Sequence, residues 1–162
     1  MNIDFGYIPV LSSEAGSCLT PANWKELGIK TASYTLESLL VKPGLELLNQ
    51  IHNLKDYLGW SGALILNASA LEVNKAGVYV LRSPFDGTKI TFEPIECIRL
   101  INHLMPDAVL LPNKMVNDCP DNWVDLNEAI IPFIHAEDRS QQPILRPHGI
   151  YDTKDTCPKN EG

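Results

Sequence analysis

Positive charge is scarce in this sequence. Lys and Arg number 13 against 20 Asp and Glu, giving a formal net charge of −7, and the basic residues are scattered rather than clustered. Nucleic-acid surfaces are ordinarily basic, because phosphate contacts supply most of their affinity. Direct nucleic-acid binding by this chain is therefore not expected. Long apolar runs are missing too: no stretch approaches the roughly 20 residues of a membrane-spanning helix. Met1 to Ser13 also lacks the basic region and apolar run of a signal peptide. A cytoplasmic protein without a membrane partner is expected. The four cysteines, Cys18, Cys97, Cys119 and Cys157, are widely spaced with no C-x-x-C pair, and reduced thiols follow from the compartment rule. His52, His103, His135 and His148 are not at ligand spacing with one another or with cysteines, so no metal is expected. Ser12, Ser13 and Ser69 lack a paired His and acid in a known pattern, and Gly44, Gly59 and Gly62 form no phosphate loop, so no cofactor is expected either. No internal repeat or low-complexity tract occurs.

What is present is a chain of 162 residues, 44% hydrophobic, enough for one domain with a real core. Its organising stretch runs from Val78 to Leu111. Asp86-Gly87 predicts a hairpin with a tight type I′ turn, since both central residues there need positive φ, and Val78, Val80, Ile90 and Phe92 alternate on its two strands. Pro94 suits the first position of a helix, with Ile95, Ile98, Ile101 and Met105 on one face. Met105-Pro106-Asp107 ends that helix, and Ala108 to Leu111 reads as a strand buried on both sides. The order strand, helix, strand indicates an α/β fold.

Upstream, Tyr7 to Leu11 looks like a first strand. Thr20 as N-cap, Pro21 after it and Gly28 as a stop predict a short helix. Ile29 to Tyr34 is the next strand, and Leu36, Leu39 and Leu40 follow at helical spacing. Leu45, Leu48 and Ile51 form a core stripe. Downstream, Leu126, Ala129, Ile130 and Phe133 suggest a last amphipathic helix, capped by Asp125 and interrupted near Pro132. A domain over residues 1–136 is expected. Residues 137–162 are polar, contain Pro143, Pro147 and Pro158, and read as an extended arm or disordered tail. Within it, Ile144-Leu145 and Ile150-Tyr151 are apolar enough to dock on a partner.

Several of these segments carry a common signature. Arg82-Ser83-Pro84-Phe85-Asp86-Gly87-Thr88, Glu93-Pro94 and Pro106-Asp107-Ala108-Val109 resemble the R-S-H-I-D-G-S, T-P-E and G-S-D-I segments of the tRNA-guanine transglycosylases. Leu19-Thr20-Pro21 with Glu26-Leu27-Gly28, Lys42-Pro43-Gly44, and Asn53 to Trp60 match further family segments, and the likeness extends back to about Ile8. The resemblance implies an α/β fold forming a partial (β/α) barrel, like the first half of a TIM-type transglycosylase barrel; a whole barrel needs roughly 250 residues. It also implies where the family's chemistry would lie. The family's D-S-G-G places a base-handling Asp at a strand end, and Asn67 stands there, with Ser69 and Ala70 in place of the glycines. The family's N-T-Y-H becomes Thr35-Leu36-Glu37-Ser38, which implies lost polarity. Its second base-recognising Asp falls on Asn113, or on Asn117 with a short insertion. The nucleophilic Asp and the C-x-C-x-x-C zinc site have no counterpart.

On this resemblance the chain is expected to be non-catalytic, an interaction or scaffold subunit of a larger complex. A protein partner or self-association would cover the open half-barrel, as eukaryotic queuine transglycosylase pairs a catalytic subunit with a non-catalytic paralogue. The alternative is an accessory subunit in queuosine-type tRNA modification that binds a 7-deazaguanine-type base through Asn67, Ser69 and Asn113.

Overall fold

The structure, a computed structural model, describes residues 3, 6–112, 125–134 and 151–152. The Thr20 hydroxyl accepts from Asn23 N while Asn23 Oδ1 accepts from Thr20 N, so helix α1 (Pro21–Glu26) opens on a reciprocal cap with proline where no N–H is needed. Gly28, at φ 79°, ends it and feeds β1 (Thr31–Thr35). Helix α2 (Leu36–Leu39), a π turn over Leu40–Gly44 and α3 (Leu45–Leu48) follow, burying Leu36, Leu39, Leu40 and Leu48. Asn53 Oδ1 accepts from Lys55 N and Asp56 N to start α4 (Leu54–Leu58), and Gly59, at φ 69°, stops it. Then come β2 (Ala63–Asn67), an antiparallel hairpin of β3 (Tyr79–Arg82) and β4 (Lys89–Phe92), and α5 (Pro94–Leu104). The described chain ends in β5 (Ala108–Leu110), β6 (Ile131–Ile134) and β7 (Tyr151–Asp152).

Strands β1, β2, β5, β6 and β7 form one parallel sheet in that order. Spatial order follows chain order without a reversal, as in a progressing (β/α) barrel and unlike a doubly wound sheet. This is a partial β/α fold; among the described residues the sheet does not close on itself. Alternation sorts its faces. Ala32, Leu64, Leu66 and Val109 share one buried core with Leu54 of α4 and with Cys97, Ile98, Ile101 and Leu104 of α5. Ser33, Thr35, Ile65, Asn67, Leu110 and Ile131 point the other way and are only partly buried. Among the described residues no helix is long and apolar enough to cross a membrane.

Asp107 fastens the strands at their N-terminal ends. Its Oδ2 accepts from Leu64 N at 2.8 Å and from Lys55 Nζ at 3.1 Å. Its backbone N–H donates to Leu64 O and its carbonyl accepts from Ile131 N. One residue thus joins β2, β5, β6 and α4.

Several expectations need correction. The hairpin exists, but its loop runs from Ser83 to Thr88 between the Arg82–Lys89 pair, and only Gly87, at φ 72°, is left-handed. Asp86 Oδ1 instead accepts from Thr88 N at 2.9 Å, an Asx turn that needs no positive φ at Asp86; that bond holds the exposed Asp86 carboxyl below its ordinary pKa. The hairpin's inner face is Tyr79 and Leu81 against Phe92 and Ile90, with the Tyr79 and Phe92 rings 5.3 Å apart, rather than Val78 and Val80. On its other side, Tyr79 forms an antiparallel bridge with Val73. Met105 leaves the apolar face of α5: it caps the helix at φ 54° and is 42% exposed. The first strand is reduced to a Val10–Ser33 parallel bridge with Pro9 O and Leu11 N bonded to Ser33. The last predicted helix is absent. Its residues form a turn, tied by Asn102 to Asp125 O and Asn127 N, followed by β6. Pro132 fits this strand because Ile131 and Phe133 make the bonds to β5, so its missing N–H faces away from that ladder. Of residues 137–162 only Tyr151–Asp152 are described, paired with β6 of the same chain; the predicted contacts at Ile144-Leu145 and Ile150 lie outside the described residues.

Two outcomes follow for stability. Asp107→Ala should cost about 2–3 kcal/mol, because Leu64 N loses a charged acceptor, whereas Lys55→Ala, removing a partly exposed partner, should cost less than about 1 kcal/mol. Urea unfolding measures both, and equal costs would contradict the clamp. Burial pushes the Cys97 thiol up from 9.0 to about 12. The unfolded thiol ionises first, so its contribution is intact below pH 9.0 and is lost as pH rises toward about 12. Cys97→Ala should flatten that part of the alkaline stability curve; an unchanged slope would assign the loss to other groups.

Candidate functional site

In parallel α/β sheets the loops at the C-terminal strand ends build the sites. Here that edge brings Thr35, Asn67 and Leu110 abreast, as register partners across β1, β2 and β5. Asn67 Oδ1 accepts from Ser69 N at 3.0 Å and from Ser69 Oγ at 2.7 Å. Ala68 is buried, its N–H bonded to Leu110 O, and Leu71 N bonds back to Ala68 O. The chain leaving β2 therefore curls into an Asx turn closed by Asn67 and Ser69. The structure brings these two predicted residues together; Asn113, with Asn117, lies outside the described residues.

Beside Asn67 is a set of hydroxyls that the sequence reading missed. Ser12 Oγ and Thr35 Oγ1 are 2.9 Å apart, Thr35 N donates to Ser12 Oγ, and Thr35 Oγ1 also bonds Ser38 Oγ. The segment aligned with N-T-Y-H was expected to lose polarity and instead carries a short hydroxyl chain. Its only sequence trace is the i, i+3 spacing of Thr35 and Ser38, since Ser12 arrives from far upstream.

A cavity of about 500 Å³ opens next to this chain, between α2 and the β3–β4 hairpin. Ser12, Tyr34, Glu37, Lys42, Arg82 and Phe85 are in its wall, while Asn67 and Ser69 are not. Burial, then the nearby Tyr57 phenol, pushes the Tyr34 phenol up, so it is a neutral hydrogen-bond donor around neutral pH. Among the described residues no group of three or more His, Cys, Asp or Glu is placed to hold a metal ion.

Residues 6–130 match the family model for queuine tRNA-ribosyltransferase. The chain belongs to this family. It is 24% identical over 122 residues to the queuine tRNA-ribosyltransferase of Methylacidiphilum infernorum, covering 70% of this chain and 31% of that protein. The Synechococcus elongatus relative of the same name is 26% identical over 123 residues, with 70% and 31% covered. That of Blochmanniella floridana is 24% identical over 144 residues, with 83% and 38% covered. The chain thus spans 31–38% of the length of these curated relatives.

The Asx turn gives a direct test. Asn67→Asp keeps an acceptor for both Ser69 donors and should stay within about 0.5 kcal/mol of wild type, whereas Asn67→Leu should lose about 1–3 kcal/mol. Thermal unfolding of the two variants would separate these values, and equal stability would mean the turn contributes nothing.

Proposed function

We propose that this chain is a non-catalytic member of the queuine tRNA-ribosyltransferase family, an interaction subunit whose partly open sheet face is covered by a protein partner or a second copy. The observation that carries the reading is Asn67. It stands where the family resemblance puts the base-handling carboxylate, its oxygen is committed to Ser69, and an amide cannot exchange a proton near neutral pH. Ser69 and Ala70 stand where glycines would let a base approach the backbone, and Ala68 is already packed against β5. The second support is the sheet. Parallel sheets are ordinarily covered on both faces; on the face shared by Ile65, Leu110 and Ile131 these three are only partly buried, while Thr31, Ala63, Ala108 and Phe133 are buried, so what is open is a patch of that face. A cytoplasmic setting belongs to the same reading.

A second reading rests on the other end of the same amide. Asn67 Nδ2 has no partner among the described residues, so it is free to donate to a base edge in an accessory, base-binding role. Calorimetric titration with guanine and 7-deazaguanine bases tests it, and no heat at millimolar base would end it.

The main reading is tested by base exchange. Guanine incorporation into tRNA should be absent from the purified chain and from Asn67→Asp alike, since the restored carboxylate would still be turned to Ser69 and the side chains of Ser69 and Ala70 would remain; exchange by either protein would overturn the non-catalytic assignment. On the open face, Ile65→Lys should release the bound partner or copy while leaving unfolding in urea within about 1 kcal/mol of wild type. Retained association would move the interface elsewhere.

A further inference from the structure

The cavity between α2 and the hairpin is not explained by the family position of Asn67 or by the open sheet face. We propose that it binds a small organic anion with a flat apolar body, an aromatic carboxylate or an aryl phosphate ester. Its volume, about 500 Å³, lies within the roughly 300–1,000 Å³ of small-molecule sites, and it opens at the C-terminal edge of β1, where α/β folds place ligands.

Charge points to the anion. Lys42 and Arg82 both reach the cavity wall, and neither makes an ion pair among the described residues, although the protein as a whole is acidic. Arg82 also sits directly opposite Lys89 in the hairpin register. Like charges placed face to face across two strands repel, and a bound oxyanion would offset that repulsion. A guanidinium suits this role because its fork matches carboxylate and phosphate oxygens.

Shape points to the ring. Phe85 is 79% exposed at the hairpin tip, yet it is not on a loose loop: Phe85 N donates to Ser83 Oγ, Ser83 N to Thr88 O, and Gly87 N to Ser83 O. A large aromatic side chain is thus held in water at the mouth of a cavity whose walls include Leu81, Pro84 and Tyr34. Stacking a planar ligand on Phe85 would remove apolar surface from water on both partners. Glu37 is the carboxylate in the wall; it works against the anion and limits its charge, while Ser12 and Ser38 supply neutral hydrogen-bonding groups.

The test is an NMR titration of the full chain with phenyl phosphate, benzoate and the neutral control phenol. Saturable shifts at the amides of Tyr34, Ser38, Arg82 and Phe85 are expected with at least one of the two anions, and the stronger binder distinguishes phosphate ester from carboxylate. Lys42→Ala, Arg82→Ala and Phe85→Ala change exposed side chains and should fold normally by circular dichroism. Each should weaken binding by about tenfold, the scale of one charge-assisted bond or one stacked ring, and Glu37→Gln should strengthen it. Phenol binding as tightly as the anions, unchanged affinity in Lys42→Ala and Arg82→Ala, or no saturable shift with either anion would overturn the proposal.

Discussion

The carboxylate of Asp107 is the point on which the architecture turns. It accepts from Leu64 N and Lys55 Nζ, while its own backbone bonds Leu64 O and Ile131 N. The interior pair of neighbouring parallel strands is pinned at this residue, with α4 fastened over their ends. A register slip of one residue would turn every side chain of a strand to the opposite face, so this clamp decides that Leu64, Leu66 and Val109 enter the core while Ile65, Asn67 and Leu110 do not. Gly62 adds a second constraint at the same end: a Cβ there would lie 2.3 Å from Lys30 O, whose carbonyl takes the Ala63 N–H. The family motif around Asp107 is therefore structural in this chain. It sets where the opposite edge will be, and that edge holds the candidate site.

From that register follows the division of labour at the C-terminal edge. Thr35 and Asn67 are brought abreast, yet each is bonded to another side chain of its own edge, Thr35 to the distant Ser12 and to Ser38, Asn67 to Ser69. Such short polar bonds stabilise the chain reversals that leave the strands. They also fill the position where a reactive carboxylate and an open glycine backbone belong in the family. The open volume lies to one side, between α2 and the hairpin, where Lys42, Arg82, Tyr34 and Phe85 share the wall with Glu37.

Much of the fold was legible because its signals are local. Thr20-Pro21, Gly28 and Glu93-Pro94 state their helix ends through backbone chemistry alone, and the Glu93 N–H is indeed capped by Glu96 Oε2 at 2.7 Å. The family's segments extended that reading to the order of strands. What was not legible depended on contacts between distant residues. The spacing of Leu126, Ile130 and Phe133 suits a helix, and only pairing with β5 makes residues 131–134 a strand. Asp86-Gly87 signals a turn, but the register of the flanking strands goes with Tyr79 and Phe92 packing together in the core. The hydroxyl chain joins Ser12 to Thr35 across the gap between two strand ends, which no local pattern contains. The bond of Asn67 was not legible either, since its Asx turn with Ser69 requires the chain to curl as Ala68 packs on Leu110.

The proposed subunit role requires the partly open patch of this sheet to be covered by another polypeptide. Light scattering coupled to size exclusion, on the tagged 162-residue chain recovered under native conditions with whatever it binds, addresses it most directly. The chain alone has a mass of 18.0 kDa. A subunit should run as a monodisperse particle heavier than this by a whole number of partner chains or copies, and a monodisperse 18.0 kDa species would contradict that role.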